Sequence, residues 1–372
     1  MHGPSPPYLD CAATTPIDPQ VLDTVLRYLG EDYGNAGSRT HEYGNRARSA
    51  VEEARYHVAA VAGAQRGDVI FTSGATESNN LAILGLRLDP GHIVTTPVEH
   101  HAVLEPVAGL RHRGFEVTYA LPEQVPAAIR PDTRLVSVMH VNNETGAISP
   151  LSGIADALDG HPAWLHTDAA QGYGKDIDLL RHPRIDLISI SGHKIHAPKG
   201  VGALISRQRN GQRPPLSPLM YGGGQERGIR PGTLPVHLIA GLGRAAELAL
   251  QEAAQRNAVC KKFREHLLTG LAPLRPMINA GSGRCVPHIL NLSIPGLTAE
   301  DVIEAWSGLA AISQGAACTS QAYTCSHVLT ALGLDEGRKA GAVRLSWCHM
   351  TEMPDLNAMV IRLQSGERLH AG

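Results

Sequence analysis

Two charged side chains that follow two predicted strands could together bind a cofactor carrying an aldehyde. Asp168 ends the apolar run Trp164-Leu165-His166-Thr167, and Lys194 lies 26 positions later, after Leu187-Ile188-Ser189-Ile190. A lysine amine can form a Schiff base with an aldehyde, and a carboxylate can keep a pyridine nitrogen protonated so that the ring withdraws electrons. An isolated lysine is usually a solvated surface charge. An acid and a lysine at successive strand ends instead indicate a site for pyridoxal phosphate.

A glycine turn between a strand and a helix could bind the phosphate of such a cofactor. The segment Ser73-Gly74-Ala75-Thr76-Glu77-Ser78-Asn79-Asn80 begins where a predicted strand ends. The free N–H groups and the positive dipole end of a helix N-terminus suit a phosphate. Ser191 and His193, beside Lys194, could donate further hydrogen bonds to it. The alternative is an ordinary helix start in which serine and threonine act as caps.

Histidines follow another predicted strand and could serve the same site. Glu99-His100-His101 comes after the β-branched run over residues 92–96. An imidazole there could stack on the pyridine ring and move protons near neutral pH. A metal site is the alternative, but no third ligand lies nearby at helical spacing. We therefore expect His100 to stack on the cofactor.

One cysteine lies in a segment with little to bury. Cys318 is surrounded by Ser313-Gln314-Gly315-Ala316-Ala317 and Thr319-Ser320-Gln321-Ala322, which are small or polar residues. Such a segment is expected to move, so that it could carry a thiol into the cofactor site and out again. A cysteine is more commonly buried as a small apolar residue. The absence of an apolar pattern around Cys318 favours the reactive interpretation.

These candidate residues need a sheet whose strand ends lie side by side. Short apolar or β-branched runs alternate with helical stretches, which predicts an open α/β sheet of seven mainly parallel strands. In such sheets ligands bind where strands end and loops begin. The runs cover residues 69–71, 92–95, 117–119, 135–138, 164–167, 187–190 and 202–205.

Length and periodicity predict two domains. With 372 residues the chain exceeds the usual size of a single domain. A helical pattern over residues 236–271 is expected to lead from a large domain into a smaller one. We predict a large cofactor-binding domain over residues 14–255. The smaller α/β domain is predicted to comprise residues 1–13 and 256–372 and to carry the Cys318 segment.

Composition excludes several classes of function. The net charge is -2, charged residues make up 18% of the chain, and no block of like charges occurs, so direct nucleic-acid binding is not expected. No stretch has the roughly 18 apolar residues of a membrane span, and no signal peptide is evident, so we expect a cytoplasmic protein. The six cysteines form no CxxC pair, which argues against a zinc ribbon.

Together these residues resemble the fold-type I pyridoxal-phosphate enzymes, and specifically the cysteine desulfurases of the NifS/IscS group. The resemblance spans nearly the whole chain and runs through many motifs in the same order. It is carried by Tyr8-Leu9-Asp10-Cys11-Ala12-Ala13-Thr14-Thr15-Pro16, Gly34-Asn35, Gly74 to Asn80, Val98-Glu99-His100, Met139-His140-Val141-Asn142-Asn143-Glu144, Thr167-Asp168-Ala169-Ala170-Gln171, Ser191-Gly192-His193-Lys194, Gly222-Gly223-Gly224-Gln225-Glu226-Arg227-Gly228, Arg230-Pro231-Gly232-Thr233-Leu234-Pro235 and Ala317-Cys318-Thr319-Ser320.

The resemblance implies a role for each residue of the cofactor site. Lys194 would form the Schiff base with pyridoxal 5'-phosphate, Asp168 would pair with the ring nitrogen, and Gln171 would bond the ring hydroxyl. Thr233 would reach the phosphate held by the neighbouring subunit, which implies a homodimer. The other residues implied to bind the cofactor are Ala75, Thr76, Ser191 and His193 at the phosphate, together with His100 and Asn143.

The resemblance also implies the substrate and the reaction. Arg344 would bind the carboxylate of L-cysteine with help from Asn35 and Asn143, since a guanidinium suits that bidentate task. Lys194, or Lys194 assisted by His100, would remove the Cα proton. The Cys318 thiolate would then attack the substrate sulfur and leave L-alanine and an enzyme persulfide. Sulfur-acceptor proteins, such as an iron-sulfur scaffold or a sulfur carrier, would be its partners.

Two features depart from the family pattern. Cys325 lies seven positions after Cys318, and Trp347-Cys348-His349 replaces the Leu-Gly-Arg common in the family. The sequence Trp347-Cys348-His349 resembles that of the desulfurases that supply sulfur for DNA phosphorothioation. Cys318, Cys325 and Cys348 could form a persulfide relay or, with His349, a metal or iron-sulfur site. We favour packing roles for Cys325 and Cys348 and expect no metal.

Two other functions share part of this pattern. A selenocysteine lyase or an aminotransferase would need Lys194 and Asp168 but no reactive Cys318. A sulfur-assembly scaffold that has lost turnover would bind partners without chemistry. The intact set of lysine, aspartate, histidine and cysteine favours a working desulfurase over that scaffold.

Overall fold

The computed structural model describes residues 5–280, 283–314 and 326–365. The chain divides into two compact units, which we call the sheet unit and the terminal unit. The sheet unit comprises Pro16–His140 and Ser149–Ala253. The terminal unit comprises Met1–Thr15, Val141–Ile148 and Ala254–Gly372. Both units combine helices with strands, as predicted, and the α/β fold class is confirmed.

The two units differ from the predicted domains chiefly at one internal segment. Val141–Ile148 belongs to the terminal unit, although the prediction placed it in the large domain. Ala147 pairs with Cys285, and the Ile148 N–H donates to Arg284 O at 2.8 Å. These backbone hydrogen bonds join residues far apart in the sequence, so local periodicity could not reveal them.

The sheet unit is built on the seven predicted strands. Their order is β1-β7-β6-β5-β4-β2-β3, and β7 runs antiparallel to β1 and to β6 while the other pairings are parallel. Each strand is only four or five residues long, and six of the seven are almost wholly buried because helices cover both faces. The strands are β1 Val69–Thr72, β2 His92–Thr95, β3 Glu116–Tyr119, β4 Thr133–Ser137, β5 Trp164–Asp168, β6 Leu187–Ser191 and β7 Gly202–Ser206.

Helices of the sheet unit pack on the two faces of this sheet. Val69 and Phe71 point into the core that also contains residues of the first, second and seventh helices, whereas Ile70 points into the core formed with the third and fourth. This alternation follows the two-residue period of a strand. The helices are α1 Pro19–Gly30, α2 Glu42–Val61, α3 Ala75–Leu84, α4 His101–Arg111, α5 Val125–Ala128, α6 Leu151–Ala157 and α7 Val236–Gln251, and the short 3-10 helices are Arg66–Asp68, Pro122–Gln124, Leu179–Arg181, Gly192–Lys194 and Gln225–Gly228.

The terminal unit has its own core around a three-stranded antiparallel sheet of order β10-β9-β8. Trp306 and Trp347 are almost wholly buried in that core. Their indole N–H groups donate to Met359 O and Cys260 O, both at 3.1 Å. The elements are α8 Ala253–Leu271, the 3-10 helix Ala272–Leu274, β8 Met277–Ile278, β9 Ile289–Ser293, α9 Ala299–Ala305, α10 His327–Ala331, α11 Glu336–Ala340, β10 Ala342–Ser346 and α12 Leu356–Ser365.

The helical pattern predicted over residues 236–271 forms two helices rather than one. α7 ends at Gln251 and α8 begins at Ala253, with Glu252 between them at φ -108° and ψ 6°. All three residues are good helix formers, so intrinsic propensity does not account for the break. It coincides with the boundary between the two units. Within the described ranges, no helix has both the length and the apolar character needed to cross a membrane.

A buried ion pair fixes the turn at Gln225–Gly228 of the sheet unit. The Glu226 carboxylate accepts hydrogen bonds from both terminal nitrogens of Arg55, at 2.7 and 2.9 Å, and from the Phe71 N–H at 2.9 Å. The Glu226 side chain is only 2% exposed. Glu226 and Arg227 both have positive φ, at 46° and 60°, so this turn carries backbone strain that the pair must offset.

Replacing Glu226 with alanine is expected to lower the free energy of unfolding by about 3 kcal/mol, because the Arg55 side chain, which is 12% exposed, loses its buried bidentate partner and keeps the exposed Glu52 carboxylate, 3.1 Å from its Nε. Chemical denaturation of the two proteins measures the difference. The matched control is Glu116→Ala. Glu116 binds Arg130 with the same bidentate geometry, at 2.7 and 2.8 Å, but on the surface. Glu116→Ala should therefore lower the free energy of unfolding by less than about 1 kcal/mol. Equal losses of unfolding free energy in Glu226→Ala and Glu116→Ala would contradict a larger contribution from the buried pair.

Candidate active site

The candidate residues of the sheet unit collect at one edge of the seven-stranded sheet. β1, β2, β4, β5 and β6 all run in the same direction, so their carboxyl ends lie at a common edge. Asp168 ends β5, Ser191 ends β6, and Gly74 follows β1. The open edge of a parallel sheet is where α/β proteins bind ligands. The fold therefore brings the predicted cofactor residues to the place expected of them.

Asp168 is held by hydrogen bonds to both of its carboxylate oxygens. Its Oδ1 accepts the Ala170 N–H at 2.9 Å, and its Oδ2 accepts the Asn79 side-chain amide at 2.7 Å. Asp168 is 5% exposed and Asn79 is wholly buried. Asn79 lies in the second turn of α3, so one side chain links the helix that begins after β1 to the acid that ends β5. Gln171 lies in the turn after β5 and is also buried.

The start of α3 forms a cradle for an anion. Its N-cap is Gly74, and no side chain in the described part of the chain caps the helix. The first N–H groups of an α-helix have no partner within the helix, and they point along its positive dipole end. A Cβ at Gly74 would lie 3.7 Å from Ser191 Oγ, so the hydroxyl that ends β6 stands beside this terminus. Ala75 is half-buried and Thr76 is exposed.

Lys194 ends the short 3-10 helix that follows β6. The turn is tight because the Gly192 N–H donates to Val201 O at 2.9 Å, and the Ile195 N–H donates to Gly192 O at 2.9 Å. Lys194 is half-buried. Burial, followed by the positive charge of Lys194, lowers the pKa of His193 to about 4. His193 is therefore neutral at physiological pH and can donate or accept a hydrogen bond without carrying charge.

His100 is the N-cap of α4, in the loop that follows β2. Its Nδ1 accepts the Ala102 N–H at 3.0 Å. Because Nδ1 is an acceptor, the neutral ring carries its proton on Nε2. This hydrogen bond fixes both the position and the tautomer of the imidazole. A ring that stacks on a cofactor must be held in a fixed position in this way.

A buried carboxyl group, Glu99, precedes His100. Its Oε1 accepts the Thr96 hydroxyl at 2.7 Å and the Met139 N–H at 2.8 Å, so it ties the loop after β2 to the segment after β4. Burial raises the pKa of Glu99 to about 8, and the charge of Asp168 adds to that rise. Glu99 is therefore predominantly protonated at neutral pH.

The raised pKa of Glu99 has a consequence for stability. The folded protein binds this proton up to about pH 8, whereas the unfolded chain loses it near the ordinary value of 4.5. Between these values the folded state holds more protons, so the free energy of unfolding falls as pH rises, by up to about 1.4 kcal/mol per pH unit. Glu99→Gln should remove this decline. Denaturation at several pH values measures the difference between the two proteins, and parallel pH profiles would contradict the assignment.

A second buried titratable group supports the strand that carries Asp168. His166 bridges three strands, with Nδ1 2.8 Å from Ser137 Oγ and Nε2 3.0 Å from Ser189 Oγ. Burial lowers the pKa of His166 to about 4, so the ring stays neutral at physiological pH. Its two hydrogen bonds fix the register of β4, β5 and β6 just before the site.

Arg344 and Asn143 lie together in the terminal unit. Arg344, on β10, is 2% exposed, and its Nη1 donates to Asn143 O at 2.9 Å. Its Nη2 donates to Asp10 Oδ1 at 2.7 Å. The structure therefore brings together the two residues of this unit that were predicted to bind the substrate. It adds Asp10, to which the sequence analysis assigned no role.

The remaining predicted residues are placed as follows. Asn35 is exposed, and its Oδ1 accepts the Gly37 N–H at 2.8 Å. Thr233 is exposed, in the loop before α7. Cys348 is buried, with its Sγ 3.5 Å from Thr351 Oγ1. Cys318 and Cys325 lie outside the described residues.

The residues of the sheet unit fit pyridoxal phosphate by their own chemistry. An uncapped helix N-terminus beside a hydroxyl suits the phosphate, and a buried carboxylate with both oxygens held in place suits the ring nitrogen. A half-buried lysine on the neighbouring strand end suits the aldehyde. These three requirements are separate, and one edge of the sheet meets all of them.

Residues 7–359 match the aminotransferase class-V family. The chain belongs to this family. It is also 44% identical over 370 residues to the cysteine desulfurase of Mus musculus, covering 92% of this chain and 80% of that protein. Among solved structures, DndA from Streptomyces lividans is 48% identical with a TM-score of 0.79, covering 92% of this chain and 99% of that one. SspA in complex with cysteine is 35% identical with a TM-score of 0.79, covering 91% and 98%.

These relatives confirm the resemblance that the sequence motifs indicated. The class-V family depends on pyridoxal phosphate, and the cysteine desulfurases within it act on L-cysteine and transfer its sulfur to acceptors. The identity to curated cysteine desulfurases, together with membership of the family, supports an enzyme of the cysteine desulfurase type rather than a scaffold without turnover.

Sequence reasoning assigned no role to three residues that the structure places beside predicted ones. Asn79 binds Asp168, Glu99 precedes His100 and is buried, and Asp10 binds Arg344. All three stand in the motifs that carry the resemblance. One sequence feature could have revealed Asn79 and Glu99: each is a polar residue at a position where the surrounding pattern predicts burial. No such signal exists for Asp10, because its partner is more than 300 positions away.

Proposed function

We propose that this protein is a cysteine desulfurase that binds pyridoxal phosphate, removes sulfur from L-cysteine and stores it as a persulfide on Cys318. The observation that carries this proposal is the arrangement at the carboxyl edge of the sheet, where Asp168, Lys194 and the start of α3 stand at the ends of parallel strands. The family to which the chain belongs supports the same cofactor and the same class of reaction.

Each residue of the sheet unit has a proposed task toward the cofactor. Lys194 holds it covalently, Asp168 binds the ring nitrogen, and Gln171 bonds the ring hydroxyl. The cofactor supplies an electron sink for the charge that develops at the substrate Cα. Asn79 keeps Asp168 oriented. The imidazole of His100, which caps the N-terminus of α4, would stack on the ring. The residues proposed for the phosphate are Ala75, Thr76, Ser191 and His193, with Thr233 from a second subunit of a homodimer.

The residues of the terminal unit are proposed to bind the substrate. The Arg344 guanidinium binds the carboxylate of L-cysteine, and Asn143, whose carbonyl already holds Arg344, lies beside it. Asn35 of the sheet unit is proposed to assist. Lys194 would take the Cα proton, and His100, whose Nδ1 already accepts the Ala102 N–H, would assist as a hydrogen-bond donor through Nε2 and not as the base.

The sulfur step balances without an outside oxidant. The Cys318 thiolate attacks the substrate sulfur, an S–S bond forms, and the C–S bond of the substrate breaks. Proton return to the carbon completes L-alanine, and the sulfur remains on Cys318 as a persulfide. A later acceptor thiol or protein can take that sulfur. The likeness to DndA, together with Trp347-Cys348-His349, favours an acceptor in DNA phosphorothioation over a general iron-sulfur scaffold.

The proposal is tested by product analysis with the purified enzyme and pyridoxal phosphate. We expect L-alanine and an equal amount of transferable sulfur from L-cysteine, with no requirement for a keto acid. Turnover that depends on a keto acid and yields no sulfur would show an aminotransferase. Turnover of selenocysteine without turnover of cysteine would show a selenocysteine lyase. Either outcome would overturn the proposal.

A further inference from the structure

Arg344, the proposed carboxylate-binding residue, has a carboxylate of the protein already on its guanidinium. Its Nη2 donates to Asp10 Oδ1 at 2.7 Å, and its Nη1 donates to Asn143 O at 2.9 Å. Arg344 is 2% exposed, whereas the Asp10 side chain is 20% exposed. The two charges therefore cancel at a place where little water can screen them.

Asp10 is fixed in this position by its neighbours in the terminal unit. The Cys11 N–H donates to Ser346 O at 3.0 Å, and the Ser346 N–H donates to Leu9 O at 2.8 Å, so the backbone on both sides of Asp10 lies along β10. The Ser313 hydroxyl donates to the same Asp10 Oδ1 at 3.0 Å. These contacts hold the carboxylate beside Arg344 without any ligand.

The described residues whose contacts with this pair are given above add no further charge. Tyr8 is near both residues, and burial together with the Asp10 charge raises the pKa of Tyr8 to about 12, so its phenol is neutral at physiological pH. Ser313 contributes only a hydroxyl and Asn143 a carbonyl oxygen. Among these described groups, an anion that approaches Arg344 meets one positive and one negative charge.

We propose that Asp10 is the internal counter-ion of Arg344 and limits how tightly that guanidinium binds the carboxylate of the substrate. The inference rests on the proposed function, in which Arg344 binds that carboxylate. A guanidinium offers five N–H donors in a fixed fork, so a substrate carboxylate must share the fork with Asp10 or displace it. Two carboxylates on one guanidinium repel each other. This repulsion weakens the binding of an anion that is held only by Arg344, such as sulfate, more than the binding of an amino acid that is also held at its amino group.

Replacing Asp10 with asparagine tests this role, because the amide keeps an oxygen for Arg344 and Ser313 but loses the charge. We expect D10N to lower the KM for L-cysteine by about tenfold, as removal of a nearby like charge should. The change should fall on KM more than on kcat. The Kd of the product L-alanine should fall in parallel, and inhibition by sulfate should become stronger.

Matched variants separate a charge effect from a structural one. Ser313→Ala removes a hydrogen bond to Asp10 but no charge, so KM should move much less than in D10N. Asp32→Asn removes a carboxylate from another arginine pair, at Arg27 and Arg46, and should leave KM unchanged. If D10N does not fold, Asp10→Ser is measured instead, and the same fall in KM is required.

The outcomes distinguish this inference from the proposed function. A KM for L-cysteine that is unchanged or higher in D10N overturns the counter-ion role, while desulfurase activity in the unmodified enzyme keeps the proposed function. Absence of desulfurase activity in the unmodified enzyme overturns the proposed function itself. Normal KM in Arg344→Gln would show that Arg344 does not bind the carboxylate, which also overturns the role of Asp10.

Discussion

Replacement of Lys194 with alanine is expected to lower the rate of cysteine desulfuration by about 10³-fold or more, because one side chain both attaches the cofactor and takes the Cα proton. The position of Lys194 at the end of the 3-10 helix after β6 supports both tasks. Turnover of L-cysteine to L-alanine measures the loss. The fraction of cofactor that remains attached after borohydride reduction and denaturation measures the covalent role separately.

Lys199→Ala is the matched control for this variant. Lys199 is an exposed lysine five positions further on, and its charge also acts on His193. We expect that variant to keep its activity and its covalently attached cofactor. Desulfuration by Lys194→Ala at the rate of the unmodified enzyme, or covalent attachment in its absence, would show that another lysine serves the cofactor.

Replacement of Cys318 with serine is expected to leave cofactor binding intact and to lower sulfur transfer by about 10²-fold or more, because a hydroxyl is a far weaker nucleophile toward sulfur than a thiolate. The visible spectrum of the bound cofactor and the yield of transferable sulfur report the two properties in the same sample. This separation distinguishes the nucleophile from a residue that only supports the fold.

Two other cysteines provide controls. Cys325→Ser tests the relay that its spacing from Cys318 suggested, and sulfur transfer should persist in that variant. Cys285→Ser removes a half-buried thiol of the terminal unit and should also leave transfer unchanged. Loss of transfer in Cys325→Ser equal to that in Cys318→Ser would mean that sulfur passes through both residues.

The seven strands could be predicted from the sequence because each is encoded by a short local pattern of residues. Each of the seven strands is a short run of apolar or β-branched residues with a turn after it, and six of the seven are almost wholly buried. The residues at the strand ends, Asp168, Ser191 and Lys194, could be predicted for the same reason, since a ligand edge follows from a parallel sheet.

Contacts between distant segments could not be predicted in this way. The return of Val141–Ile148 to the terminal unit depends on backbone hydrogen bonds to residues near Cys285. The contact of Asp10 with Arg344 depends on a pairing of the N-terminal segment with β10. The interruption at Glu252 has no local signal, because its neighbours favour a helix.

The resemblance and the structure contributed different parts of the candidate site. Motif order assigned roles to Gln171, Thr233 and Arg344 that residue chemistry alone would not have given. The structure added the partners that hold such residues in place, of which the Asn79 amide on Asp168 is the clearest. A positioning partner is hard to find from one sequence, because its only signature is a polar side chain in a buried position.

Mass spectrometry of the Cys318 peptide after brief incubation with L-cysteine tests the central claim most directly. We predict that the peptide gains the mass of one sulfur atom, that a thiol reductant removes it, and that the gain is absent in Lys194→Ala. L-alanine formed in the same sample while the Cys318 peptide carries no added sulfur would contradict the proposal that Cys318 receives the sulfur of the substrate.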